Sequence, residues 1–159
     1  TVASDGSVYV ADTENHRIQK FTSGGVFVTK WGTNGSEDGQ FREPTGVAVA
    51  SDGSVYVADH VNSRIQKFTS AGVFVTKWSA AGAPYGVAVA SDGSVYVSNP
   101  GNHLIKKFTY EGVFITKWGT EGTGNGQFRE PRGVAVASDG SVYVVELDGH
   151  RIQKFSVGP

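Results

Sequence analysis

The strongest constraint on this chain is that it repeats. SDGSVYV stands at 4–10, 51–57, 91–97 and 138–144. RIQKF stands at 17–21, 64–68 and 151–155, with LIKKF at 104–108. The copies lie 47, 40 and 47 residues apart. A period of this length marks a small unit that cannot bury its own apolar faces and must stack on its neighbours. Between 4–32 and 51–79 only five of 29 positions differ. Surface turns ordinarily drift, so this near-identity points to recent duplication or to designed repeats.

The unit is clearest over Gly46–Trp78. GVAVA (46–50) is small and apolar, which suits an innermost strand on a crowded axis. Ser51-Asp52-Gly53 is a tight turn whose glycine can take positive φ. In the next strand Val55 and Val57 alternate with Tyr56, so valine and tyrosine face opposite sides. RIQKF (64–68) follows a four-residue loop, and VFVTKW (73–78) is the outer strand. Four short antiparallel strands, apolar on both faces near one end, define an all-β β-propeller blade. The expected blades are 1–31, 46–78, 86–118 and 133–155, the first entered late and the last without an outer strand.

Composition agrees and narrows function. The 159 residues include 22 Gly and no Cys, which suits many turns and excludes disulfides and thiolate metal sites. A net charge of −1 gives no surplus for nucleic acid or an anionic membrane. No apolar run approaches the roughly 20 residues of a membrane span.

The b–c loops read Asn15-His16-Arg17, Asn62-Ser63-Arg64 and Asn102-His103-Leu104. With VYVAD before them, RIQKF after them and GxxGxxxGQFxxPxG between copies, the chain resembles the NHL-repeat family of β-propellers. The resemblance implies blades of strands a to d closed in a ring, usually of six, in binding modules and a few enzymes. Four copies are too few for that ring. The reading therefore favours assembly with itself, as a homodimer completing eight blades, over tight closure of four.

Variation concentrates on the face formed by the b–c loops and d–a connectors. There the residue between Pro and Gly at the entrance to strand a is Thr45, Tyr85 or Arg132. All four histidines, His16, His60, His103 and His150, fall in b–c loops. These seven residues are the candidate binding face, with protein or peptide as the expected ligand. The histidines read as turn residues, and no metal or cofactor is expected. Asp12 and Arg17, Asp59 and Arg64, and Glu146 and Arg151 read as ion pairs that staple their loops, lost together in the third copy as Asn99 and Leu104. In the connectors, Phe41 and Phe128 are expected in the seams between blades, with Tyr85 filling that place where the connector is short. No catalytic residue is singled out, because strand a brings no acid or histidine inward and no triad is visible. The expected function is a non-catalytic scaffold that assembles with itself. The alternatives are single-stranded RNA binding, for which the lysines are too dispersed, and a lyase or hydrolase fragment.

Overall fold

The computed structural model describes residues 1–156, so the expected chain ending at 157–159 lies outside the described residues. Fourteen strands form four antiparallel sheets. The first holds β1 (Val8–Asp12), β2 (Arg17–Phe21) and β3 (Phe27–Trp31). The second holds β4 (Pro44–Val49), β5 (Val55–Asp59), β6 (Arg64–Phe68) and β7 (Phe74–Ser79). The third holds β8 (Val87–Val89), β9 (Val95–Asn99), β10 (Leu104–Phe108) and β11 (Phe114–Trp118). The fourth holds β12 (Pro131–Val136), β13 (Ser141–Glu146) and β14 (Arg151–Ser156). Thr1–Ala3 stand where strand a of the first sheet would run, through the Val2–Val8 bridge and reciprocal Thr1–Tyr9 hydrogen bonds.

Turn chemistry sets each hairpin. The Asp52 carboxylate accepts the Ser54 amide at 2.8 Å while Gly53 sits at φ 84°. Asp5, Asp92 and Asp139 repeat this with Ser7, Ser94 and Ser141. Each b–c loop ends on a left-handed residue: His16, Ser63, His103 or His150, with φ between 48° and 56°. Three of the four histidines are therefore turn residues in the backbone sense.

The sheets pack face to face around a shared axis lined by β4, β8 and β12, with β1 against β4. Each seam joins the tyrosine side of one sheet to the valine side of the next. Tyr9, Ile18 and Phe41 meet Val55, Val57 and Phe68 in the first seam. Tyr56, Ile65 and Ala80 meet Val95, Val97 and Phe108 in the second, and Tyr96, Ile105 and Phe128 meet Val142 and Val144 in the third. Burying one such aliphatic side chain contributes about 1.5–3 kcal/mol. The fourth and first sheets do not close on each other within the chain. Ile152 is 67% exposed and Val10 41%, whereas Ile18, Ile65 and Ile105 are fully buried.

Phe41 and Phe128 do sit in the seams, 5.5 Å from Phe68 and Phe155 respectively. Tyr85 does not, which corrects the expectation from sequence. In the short connector the seam position belongs to Ala80, fully buried in the second cluster. A connector this short turns back before it can bring an aromatic ring into the seam. Tyr85 is left half-buried at the mouth of the axis.

Candidate binding face

The face is built by a backbone irregularity. Pro44 pairs with Asp59 and Gly46 with Ala58, so Thr45 is the extra residue of a β-bulge. Arg132 occupies the same place between Pro131 and Gly133. A bulge leaves its extra residue outside the ladder and re-aims its side chain. Thr45 and Arg132 are consequently delivered to the axis rather than to a seam, and Tyr85 reaches it from the end of the short connector, its amide bonded to the Ser98 carbonyl. Thr45, Tyr85 and Arg132 converge on one open cavity of 440 Å³ at the end of the innermost strands.

The group is ordered. Thr45 Oγ1 donates to the Tyr85 carbonyl at 2.8 Å. The Arg132 guanidinium lies 4.9 Å from the centre of the Tyr85 ring, a cation–π distance. Arg132 Nη2 donates to Glu130 at 2.8 Å, and this bond is the main cause holding its pKa above the ordinary arginine value. The Ser98 hydroxyl donates to the Arg132 carbonyl and accepts the Gly86 amide, tying the third and fourth sheets together beneath the mouth. Arg132 Nε is buried with no partner among the described residues.

The histidines do not converge. His16 Nδ1 accepts the Glu43 amide at 3.2 Å. His60 Nδ1 lies 2.9 Å from the Pro84 carbonyl, so it must donate, and its ring stands edge-on to Tyr85 at 6.0 Å. His103 lies 4.0 Å from Glu121, and His150 lines a second cavity with Arg132 on the outer side of the fourth sheet. Only His60 joins the Tyr85 group. Among the described residues no three His, Cys, Asp or Glu side chains gather as metal ligands.

The Asp–Arg pairs do more than staple their own loops. Arg64 Nε donates to Asp59 at 2.7 Å, and the guanidinium then reaches into the preceding connector. Its Nη1 donates to the Ser36 carbonyl, and its Nη2 to those of Glu37 and Gln40. Gln66 joins it, donating to Gln40 and accepting from Gly39, while Asp59 also accepts the Arg42 amide. Glu146, Arg151 and Gln153 hold the connector before the fourth sheet in the same way. Burial pushes the Glu146 carboxyl up, but Arg151, the Arg129 amide and Gln153 outweigh it, and the net shift is downward. The third sheet receives the short connector and uses other groups. Lys106 Nζ donates to the Ala80 and Ala81 carbonyls at 2.6 and 2.7 Å, and Asn99 Nδ2 to Ala80. Burial, with Lys117 nearby, holds the Lys106 ammonium below its ordinary pKa. The sequence carried this signal, since the loss of Asp, Arg and Gln coincides with the shortened connector. It was legible only by comparing each motif with the connector before it.

The repeated lysines are also accounted for. Lys20, Lys67, Lys107 and Lys154 lie 5.2–5.5 Å over Tyr9, Tyr56, Tyr96 and Tyr143 on the neighbouring strands. They cap tyrosines sheet by sheet rather than forming one basic groove.

Four sheets of this topology, each stacked on the next around an axis, are blades of a β-propeller. Residues 1–21, 41–68 and 128–155 match the model of the NHL repeat, which together with the fold supports the NHL-repeat family of propellers. No curated protein sequence matches the chain. Among solved structures, a streptogramin B lyase superposes with TM-score 0.74 at 20% identity, over 100% of this chain and 54% of that one. Virginiamycin B lyase from Staphylococcus aureus gives TM-score 0.73 at 19% identity, over 100% and 55%. Regucalcin, a calcium-binding protein from Agrobacterium tumefaciens, gives 0.62 at 16%, over 90% and 50%. At these identities the likeness concerns the fold. The chain spans about half the length of each of these proteins.

Proposed function

We propose that this chain is a non-catalytic propeller module that completes its ring by associating with a second copy and binds a protein or peptide at the mouth of the axis. The observation that carries the binding half is the convergence of Thr45, Tyr85 and Arg132 on one cavity, the first and last carried there by equivalent bulges. A guanidinium stacked on an aromatic ring suits a ligand offering backbone carbonyls or a carboxylate. Beneath them the innermost strands bring Gly, Val and Ala, which supply shape but no acid or base. The association half rests on the unclosed end sheets, which leave Val10, Val145 and Ile152 facing solvent.

The tests are separate. Light scattering should give a particle of about twice the 16.8 kDa chain mass; a particle of one chain mass would defeat the association half. Screening a peptide library should yield ligands that lose affinity in Arg132→Ala and Tyr85→Ala. Ligands indifferent to both substitutions would defeat the placement of the site.

A further inference from the structure

The first sheet repeats the connector-binding group of the second and fourth sheets, but no connector lies against it. Arg17 Nε donates to Asp12 at 2.7 Å and Gln19 to the same oxygen at 2.9 Å, with Asn15 on the other oxygen. Arg64 and Gln66 hold one oxygen of Asp59 in the same way, with Asn62 on that oxygen too and the other oxygen accepting the connector's Arg42 amide. Among the described residues, neither Arg17 Nη group nor Gln19 Oε1 has a partner. The Asp12 side chain is 21% exposed, where those of Asp59 and Glu146 are fully covered. The apolar part of the site is likewise uncovered. Phe68 is flanked by Trp31 at 5.8 Å and Phe41 at 5.5 Å, and Phe155 by Trp118 and Phe128 at the same distances. Phe21, their equivalent, has Phe27 of its own sheet as its one aromatic ring partner among the described residues. A Cβ on Gly72 would meet the Trp31 ring at 2.6 Å, and one on Gly112 would meet Trp78, whereas Gly25 has nothing within 4 Å.

The geometry points to a preorganised docking site on the first sheet for an outer strand and long connector of another blade. The occupant is a polypeptide segment ending its strand in Trp-Gly and carrying Gly-Gln-Phe after six intervening residues, the pattern of Trp31–Phe41 and Trp118–Phe128. Two features select this occupant over the short connector. The group is Asp–Arg–Gln, found where the connector is long, rather than the Asn–Leu–Lys of the third sheet. Its open donors also match the carbonyls a long connector presents. Arg17 would take the three that Arg64 takes, and Gln19 the amide and carbonyl that Gln66 takes. Such charge-assisted bonds from a guanidinium already fixed by a carboxylate lose little freedom on binding. This goes beyond the ring-completing reading and competes with it for the same surface, because among the described residues the fourth sheet that a second copy would bring has three strands and carries no such outer strand or connector.

The test uses a synthetic peptide of residues 27–44, fluorescently labelled and titrated into the whole chain while light scattering follows particle mass. Saturable binding at one peptide per chain is expected. It should weaken about tenfold or more when the first sheet is given the third sheet's residues, Arg17→Leu with Gln19→Lys, a loss of about 1.4 kcal/mol or more. The peptide carrying Phe41→Ala should weaken similarly. Circular dichroism of the double variant should be unchanged, since the third sheet folds with those residues. Absence of saturable binding, or binding indifferent to both changes, overturns the proposal. A one-chain particle that binds the peptide keeps the docking site while the ring reading falls. A two-chain particle that neither binds the peptide nor changes mass keeps the ring reading. In that case the partner's fourth sheet covers the first, and the docking site is overturned.

Discussion

The second and fourth sheets contain the same five residues in strand c, RIQKF at 64–68 and 151–155, yet the two strands live in different surroundings. Ile65 is fully buried between the second and third sheets, while Ile152 is 67% exposed on the outer side of the fourth. The first and second sheets contrast in the same way on their other face, with Val57 fully buried and Val10 41% exposed. In a stacked architecture burial belongs to the seam, not to the repeat. Identical sequences acquire opposite energetic weight according to whether a neighbour is present.

That contrast can be broken or sharpened by matched substitutions. The largest difference is expected at the connector-binding groups. Asp59→Ala leaves Arg64 covered and uncompensated and frees the Arg42 amide, so urea unfolding should show a loss of about 3–5 kcal/mol. Asp12→Ala removes the exposed counterpart and should cost under about 1 kcal/mol. Equal losses at both positions would mean that the first sheet's group is already covered in solution.

Next come the seam isoleucines. Ile65→Ala should destabilise by about 2–5 kcal/mol through lost burial and the cavity left behind. Ile152→Ala should fall within about 0.5 kcal/mol, as exposed positions do. If Ile152→Ala proves costly only at high protein concentration, the fourth sheet is the surface through which copies associate.

A smaller contrast concerns the connectors themselves. Lys106→Met removes the donor to the Ala80 and Ala81 carbonyls and should cost about 1–3 kcal/mol in thermal or urea unfolding. Gln19→Met, at the same strand position on the unpartnered first sheet, should cost under about 1 kcal/mol. Comparable losses would show that strand c needs a polar side chain there regardless of any connector.

The smallest effect belongs to the turns. The Ser54 amide holds Asp52 below its ordinary pKa, and the Ser94 amide does the same for Asp92. A carboxyl whose pKa is lower folded than unfolded adds stability above the unfolded value of about 3.9, and that stability is lost as pH falls through the folded pKa. Stability should therefore decline below about pH 4, and Asp52→Asn should flatten part of that decline. An unchanged acid limb in the variant would assign the pH dependence to the other carboxyls held low, Asp12, Asp92 and Glu146 among them.

The strands, their turns and their order were legible in the residues because each depends on contacts near in sequence. Val55-Tyr56-Val57 alternates, Asp52 bonds an amide two residues away, and Gly53 supplies the positive φ. The resemblance in the b–c loops named the family for the same reason: those residues act within one hairpin. The binding face was legible only in part. Position and variability singled out Thr45, Tyr85 and Arg132, but only the packing of the sheets showed that they share one cavity that none of the four histidines lines. The role of Arg64 and Gln66 and the displacement of Tyr85 from the seam were decided by tertiary structure. They depend on where a connector crosses onto the next sheet, 24 to 28 residues away. Short-range hydrogen bonds and side-chain alternation are written into any single copy of the repeat. What each copy touches is a property of the stack, and identical copies cannot encode it individually.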